Sequence, residues 1–189
     1  MHLKGYKVTR NHILKLFHIL NDKLKDNNIR GDILIYGGAM MSLCFNSRES
    51  SGDIDGLFQP SDNIKELAKE IYHEQPLDIY LSPKWLNDGV SLFLSEKVEP
   101  DDDKKEFLIL SNFSIYHCSP EYAFAMKLQA CRSSKFKDDI EDLKVLISGL
   151  EIQDFNQAMN IYEKYYSREL LPTRHEVILK DLLSKNLET

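Results

Sequence analysis

The chain has 189 residues, a length that suits one large domain or two small ones. Apolar residues make up 42 % and charged residues 29 %, as in ordinary globular proteins, and the formal net charge of −6 argues against a uniformly basic surface. No segment is apolar over the length of a membrane span and no secretion signal opens the chain, so no membrane association is expected. The cysteines Cys44, Cys118 and Cys131 lie far apart, which favours a reducing, cytoplasmic setting.

The first 117 residues carry signals for both helices and strands. Apolar residues at helical spacing follow Thr9, a plausible N-cap, and a short apolar run ends at Gly37. In chain order the predicted elements are a helix (9–25), a buried strand (33–36), a short helix (39–45), a strand (53–58), a helix (61–74) and two strands (107–110 and 113–118). The stretch 77–81 alternates as a strand does, but prolines flank it, and it is left open between strand and loop.

From Ser119 onward the pattern is helical throughout. Ser119, Pro120 and Glu121 form a strong helix start, with an N-cap, proline at the first position and an acid in the first turn. Three more helices are predicted, at 137–149, 152–166 and 172–187. The sequence therefore predicts an α/β (α+β) protein in which a mixed sheet flanked by helices occupies 1–117 and a C-terminal helical bundle occupies 118–189.

Two aspartates separated by one residue follow the glycine pair. In a strand, Asp53 and Asp55 present their carboxylates on one face. Neighbouring carboxylates repel each other unless a cation lies between them. Mg²⁺ takes one or two carboxylates and completes its shell with water and substrate phosphates. Asp53 and Asp55 are therefore the predicted ligands of Mg²⁺ or Mn²⁺.

Gly37 and Gly38 open a short helix just before this acid pair. Glycine allows the backbone to approach a ligand closely, and free N–H groups at a helix start attract an anion. Ser42 lies one turn further and adds a hydroxyl to this predicted phosphate site. Alone, a glycine pair is usually a turn and an acid pair is usually solvated. Their order along the chain favours a joint site for a metal and a triphosphate.

This stretch resembles the signature of the polymerase-β-like nucleotidyltransferase superfamily, which is GG or GS on a short helix followed by a strand bearing D-x-D. It is most similar to the branch of AbiEii-type toxins and related bacterial nucleotidyltransferases, with the pattern R-x-[ST]-x-D-[LIV]-D. The matching residues are Ser51, Asp53, Ile54 and Asp55. Glu49 stands at the Arg position, with Arg48 one place early. The resemblance implies that Ser51 belongs to the nucleotide site.

Two later stretches extend the resemblance over most of 32–147. The segment "PKWLNDGV" (83–90) is similar to a W-L-N-D segment of uncharacterised relatives. After the sheet, the family carries a lysine in an apolar helix, followed by a D-x-x-D helix. Lys127 matches that lysine, and Asp139 and Asp142 match the acids, which implies a role for all three in nucleotide binding. From the residues alone, a lysine reaching out to water and a solvated helix face are the alternatives.

Active members of the superfamily have a third carboxylate on a later strand, which acts as general base. Asp78 is the first candidate and Asp88 the second. Either acid also suits a turn or a cap. Trp85, the only tryptophan, suits a core position better than a base-stacking role.

The resemblance implies a cytoplasmic, toxin-like or defence-like enzyme that transfers NMP from an NTP to an acceptor hydroxyl. The 3′ end of a tRNA, a protein hydroxyl and a small molecule are the acceptors it allows. The alternative is a non-catalytic binding or regulatory module of a toxin–antitoxin-like pair, with an antitoxin as partner. A metal-dependent phosphohydrolase is a third possibility, but the glycine-initiated helix favours transfer.

Overall fold

The computed structural model describes residues 7–78, 80–131 and 137–186. These residues form two compact units, one containing the chain up to 92 and 104–117, the other containing 93–103 and the chain from 118 onward. The first unit contains a mixed sheet with helices and the second is helical, so the predicted α+β class is confirmed. None of the described helices has both the length and the apolar character that crossing a membrane requires.

The first unit is built around a five-stranded sheet. Its elements are β1 (Val8–Thr9), α1 (Arg10–Asp26), β2 (Gly31–Tyr36), α2 (Gly37–Cys44), β3 (Ser50–Ser51), β4 (Ile54–Gln59), α3 (Ser61–Glu74), β5 (Leu86–Asn87), β6 (Lys105–Ile109) and β7 (Phe113–His117). The strand order is β5-β4-β2-β7-β6. β2 runs antiparallel to β4 and parallel to β7, so the end of β2 and the start of β4 lie at the same edge of the sheet.

Alternate strand residues form the core of this unit together with the apolar sides of α1 and α3. The buried strand residues include Ile33, Ile35, Ile54, Phe58, Phe113 and Ile115. Phe17 of α1 meets Phe113 edge-on, with ring centroids 6.0 Å apart. Thr9 caps α1 as predicted, since its hydroxyl accepts the His12 N–H at 3.4 Å. β2 is buried on both faces over 33–36, as its continuous apolar run predicts.

The stretch after α3 is a loop in its described residues. Gln75 adopts a left-handed conformation that ends α3, and its side-chain oxygen accepts the Leu81 N–H at 2.8 Å. This side chain thereby takes up a backbone group that a strand would have paired. Ile79 lies outside the described residues. Trp85 is buried and donates its indole N–H to the Ala68 carbonyl at 3.0 Å, which is the predicted core role.

The second unit has only helical elements among its described residues. They are α4 (Pro100–Asp103), α5 (Pro120–Ala130), α6 (Lys137–Gly149), α7 (Phe155–Tyr165) and α8 (Thr173–Asn186), with a short 3₁₀ turn (Arg168–Leu170). Ser119 caps α5 as predicted, because its hydroxyl accepts the Tyr122 N–H at 3.1 Å. The rings of Tyr122 and Tyr165 stack at 4.6 Å. The predicted domain boundary at 117/118 assigns residues 93–103 to the sheet unit. In the structure this segment belongs to the helical unit. One contact that holds it there is the hydrogen bond from the Ser95 N–H to the Tyr122 hydroxyl at 2.7 Å.

Candidate functional site

The first glycine of the pair lies directly against the second aspartate. Tyr36 and Asp55 face each other in the β2–β4 ladder, so α2 begins beside Asp55. Gly37 has a φ of +61°, and a Cβ added to it would lie 3.1 Å from Asp55 Oδ2. The first N–H groups of a helix have no partner within that helix. The fold therefore brings together a helix N-terminus and a carboxylate that lie 18 positions apart in the sequence.

The second glycine lies against Ser51 and Arg48. A Cβ on Gly38 would lie 2.6 Å from Ser51 Oγ and 2.9 Å from Arg48 Nη1, closer than real contacts allow. A larger residue at this position would therefore displace the Ser51 hydroxyl and the Arg48 guanidinium. Arg48 reaches this point although it stands one place early in the motif. It lies in the loop between α2 and β3, where strand alternation does not set side-chain direction.

Asp53 is held by an amide that sequence reasoning did not assign to the site. Ile54 is buried, so Asp55 occupies the opposite face of β4. Asp53 lies in a bend one residue before the predicted strand actually begins, where strand alternation does not set the direction of its side chain. Asn87 faces Asp55 in the β4–β5 ladder, and its Nδ2 donates to Asp53 Oδ2 at 3.1 Å. Its Oδ1 accepts the Gly89 N–H at 2.9 Å, which sets the orientation of the amide. The W-L-N-D segment is the sequence signal that could have identified this residue.

The two candidates for a third carboxylate lie outside the strand that neighbours the acid pair. Asp78 is exposed in a bend, so the loop is the alternative that holds for this residue. Asp88 forms an ion pair with Lys65 at 2.7 Å, and this contact lowers the pKa of the Asp88 carboxyl below its ordinary value. The strand residue that faces Asp55 is Asn87, whose amide neither carries charge nor takes up a proton.

The donor set at Asp53 and Asp55 fits one kind of metal site. No group of three or more His, Cys, Asp or Glu residues gathers at a possible metal position within the described residues. Two carboxylates cannot form a complete protein cage for Ca²⁺ or a structural Zn²⁺ site. They suit Mg²⁺, which keeps water and substrate phosphates in its shell.

Ser42 and Cys44 lie further along α2. Ser42 is 1 % exposed, and its hydroxyl has no hydrogen-bond partner among the described residues. An unpaired buried hydroxyl costs about 1–3 kcal/mol, so a ligand or bound water that reached it would stabilise the fold. Burial raises the pKa of the Cys44 thiol to about 11, which keeps it protonated and excludes it as a nucleophile at neutral pH.

Lys127, Asp139 and Asp142 meet within the second unit. Lys127 Nζ lies 2.7 Å from Asp142 Oδ2 and 3.4 Å from Asp139 Oδ1. The Asp142 side chain is 1 % exposed, so a solvated helix face is the wrong interpretation for this residue. The lysine reaches carboxylates rather than water, because a buried carboxylate needs a paired cation. Their implied role in nucleotide binding remains a prediction.

Asn87→Asp is expected to couple stability to divalent cations. A third carboxylate facing Asp53 adds repulsion of roughly 1 kcal/mol without metal, which lowers the melting temperature by about 2–4 °C. Added Mg²⁺ should raise the melting temperature of the variant by more than it raises that of the parent. Thermal unfolding with and without MgCl₂ measures both effects, with Asn87→Ala as the uncharged control. If MgCl₂ changes the melting temperature of all three proteins equally, the metal does not bind at this edge of the sheet.

Comparison of the chain with protein-family models, with curated proteins and with solved structures finds no match. The likeness to nucleotidyltransferases therefore rests on the motif residues and on their arrangement in the fold. Of those residues, Gly37 and Asp55 lie side by side, and Gly38 lies against Ser51 and Arg48.

Proposed function

We propose that this protein is a metal-dependent nucleotidyltransferase, which moves NMP from an NTP to an acceptor hydroxyl. The observation that carries the proposal is the contact between Gly37 and Asp55. It places the start of α2 beside the Asp55 carboxylate, and Asp53 precedes β4 by one residue. Phosphates are attracted by the helix start and by a cation that the carboxylates hold.

Each residue of the cluster has a defined part in this proposal. The first turn of α2 donates N–H groups to the triphosphate, and Arg48 beside Gly38 adds positive charge at the same point. Asn87 orients the Asp53 carboxylate through its amide. Bound Mg²⁺ or Mn²⁺ would neutralise charge on the phosphoryl group and lower the barrier to its transfer. Most of the catalytic effect comes from positioning and charge stabilisation.

The acceptor hydroxyl must lose a proton as its oxygen bonds to the α-phosphorus and pyrophosphate leaves. Asn87 cannot accept that proton. Asp88 follows Asn87 in the chain, but its carboxylate is held by Lys65 at 2.7 Å, and this contact lowers its pKa and makes it a weaker base. The strand positions that face Asp55 carry Tyr36 and Asn87, so we assign the role of general base to neither Asp78 nor Asp88. The tRNA 3′ end, a toxin-like role, a cytoplasmic setting and an antitoxin partner belong to this proposal as implications of the motif resemblance.

The test is incubation of the full chain with each NTP labelled at the α-phosphate, with Mg²⁺ or Mn²⁺ and total RNA. Label joined to an acceptor together with release of pyrophosphate is the expected result. Label on RNA, on the protein or on a small molecule would identify the acceptor class. Release of free NMP or inorganic phosphate without any labelled acceptor would instead indicate hydrolysis. Failure of calorimetry to detect binding of Mg²⁺–NTP would overturn the proposal.

One observation favours the non-catalytic alternative. Asn87 occupies the strand position opposite Asp55 where a third carboxylate would complete the acid cluster. With an amide there, the cluster retains the groups that bind a nucleotide and lacks a base on the neighbouring strand. A nucleotide-binding module would bind Mg²⁺–NTP in calorimetry and release no pyrophosphate with any acceptor, which separates it from the enzyme.

A further inference from the structure

The buried face of α8 contains an ionisable side chain in a row of leucines. His175, Leu179, Leu182 and Leu183 are all buried and recur at the spacing of one helix face. His175 is 2 % exposed, so its ring is enclosed as fully as the leucines beside it. This face meets the second unit through the contacts of α8 with α5 and α7. A histidine changes charge between about pH 5 and 8, so this position makes the packing of α8 depend on pH.

The contacts of the ring identify its uncharged form. Arg174 Nε donates to His175 Nε2 at 3.1 Å, so Nε2 is the acceptor and the proton of the neutral ring is assigned to Nδ1. Nδ1 has no hydrogen-bond partner within the described residues. The carbonyls of Leu128 and Cys131, at the end of α5, favour the charged ring. Burial and the charge of Arg174 outweigh them and lower the pKa of His175 below its ordinary value of 6.5.

The neighbouring helices supply no negative charge that would compensate a charged ring. Among the described residues, Arg174 is the one charged side chain that shifts the pKa of this histidine. On α5, burial raises the pKa of the Cys131 thiol, which is therefore neutral at and below neutral pH. On α6, Asp139 lies in an ion pair with Lys127 of α5. On α7, burial raises the pKa of the Tyr162 hydroxyl to about 12, so it is also neutral.

Protonation of the ring would break its contact with the preceding arginine. A charged imidazole carries N–H groups at both nitrogens, so Nε2 can no longer accept from Arg174, and two like charges then lie side by side. A buried charge without a partner costs far more than a buried neutral ring. Moving the ring into water removes this cost, but the start of α8 must then separate from the end of α5.

We propose that His175 is an acid-sensitive latch, which holds the start of α8 against the end of α5 and releases it when the ring takes up a proton. The latch needs neither nucleotide nor metal, so it is independent of the proposed transferase. Its contribution to stability is fully present above pH 6.5 and is lost as the pH falls from there through the lower pKa of the folded chain. The turn of α5 that it holds also carries Lys127 of the buried ion pair.

The test is hydrogen exchange of the backbone amides of the full chain at about pH 7.5 and about pH 5, corrected for the intrinsic exchange rate. In His175→Gln, the side-chain carbonyl can accept from Arg174 at either pH. The matched control, His18→Gln, makes the same change at an exposed position of α1. In the parent and the control, the α8 amides should lose protection several-fold at the lower pH, while those of α3 keep theirs. In His175→Gln, the protection of α8 should be the same at both pH values.

Three results would overturn the latch. One is an equal loss of α8 protection in the parent and in His175→Gln. Another is an equal loss in α8 and α3 of the parent, which would indicate general acid unfolding. The third is an NMR titration of the parent in which the pKa of the His175 ring lies at or above 6.5. If the glutamine variant does not fold, His175→Phe gives the same comparison with a side chain that cannot take up a proton.

Discussion

Asp53→Asn/Asp55→Asn is expected to abolish nucleotide transfer and to leave the folded chain at least as stable. The variant keeps the shape of both side chains and removes the two charges that would hold the metal. A metal at a transferring phosphoryl group supplies several kcal/mol, so the rate should fall by about 10³-fold or more. Loss of repulsion between two neighbouring carboxylates should hold or raise the melting temperature. Labelled-NTP transfer and thermal unfolding are the two measurements.

The matched control for this variant is Asp22→Asn/Asp26→Asn. It makes the same change in net charge on exposed positions of α1 in the same unit. The control should transfer label as the parent does. Full activity in the Asp53→Asn/Asp55→Asn protein would show that the two carboxylates are not needed for nucleotide transfer. A large fall in its melting temperature would show that the two carboxylates have a structural role.

Asp142→Ala is expected to cause a large loss of stability in the second unit. The substitution leaves Lys127, which is 14 % exposed, with only the longer contact to Asp139. Removing one partner of a buried ion pair costs about 3–5 kcal/mol. For a chain of this length, the melting temperature should fall by roughly 10 °C. Chemical and thermal unfolding measure the change.

A second ion pair on the same helix provides the comparison. Lys144 and Glu141 are 3.0 Å apart on α6, and both side chains are nearly half exposed. Glu141→Ala should change stability by less than about 1 kcal/mol, because solvent screens exposed pairs. The double variant Lys127→Met/Asp142→Leu should recover much of the loss, since it removes both charges together. Equal effects of Asp142→Ala and Glu141→Ala would contradict the buried pair.

A further variant, Lys127→Ala, tests the role that the motif resemblance assigns to Lys127. Its ammonium is already paired with carboxylates in the absence of any nucleotide. If the pair is purely structural, Lys127→Ala lowers the melting temperature and leaves the affinity for Mg²⁺–NTP unchanged. If Lys127 also contacts phosphate, nucleotide affinity falls by more than the loss of folded protein explains.

Several elements follow from local signals in the sequence. The predicted helix at 61–74 matches α3 residue for residue, because apolar residues recur at helical spacing between Pro60 and Gln75. The start of α5 follows from Ser119 and Pro120, whose capping contacts span only three residues. The pairing of a glycine-initiated helix with D-x-D also follows from the order of the motif. For the two helices the decisive interactions lie within a few positions of the chain.

Other features depend on pairings between distant parts of the chain. Asn87 enters the site through a hydrogen bond to Asp53 across 34 positions, set by the register of β5 on β4. No local signal records that register, and a strand of two residues has no periodicity to read. The stretch around Asp78 shows the limit of a local pattern. An alternating pattern suggested a strand, whereas the Gln75 side chain holds the described part of that stretch as a loop.

By itself, the sequence determined the α+β class, the main helices and the pair of carboxylates preceded by two glycines. These features rest on periodicity, capping and residue type, which act over one or two turns. Only the tertiary structure decided that Arg48 and Ser51 lie against Gly38, that Asn87 holds Asp53 and that Lys127 pairs with Asp142. The physical reason is that burial and strand register bring these side chains together, and both are properties of the whole folded unit.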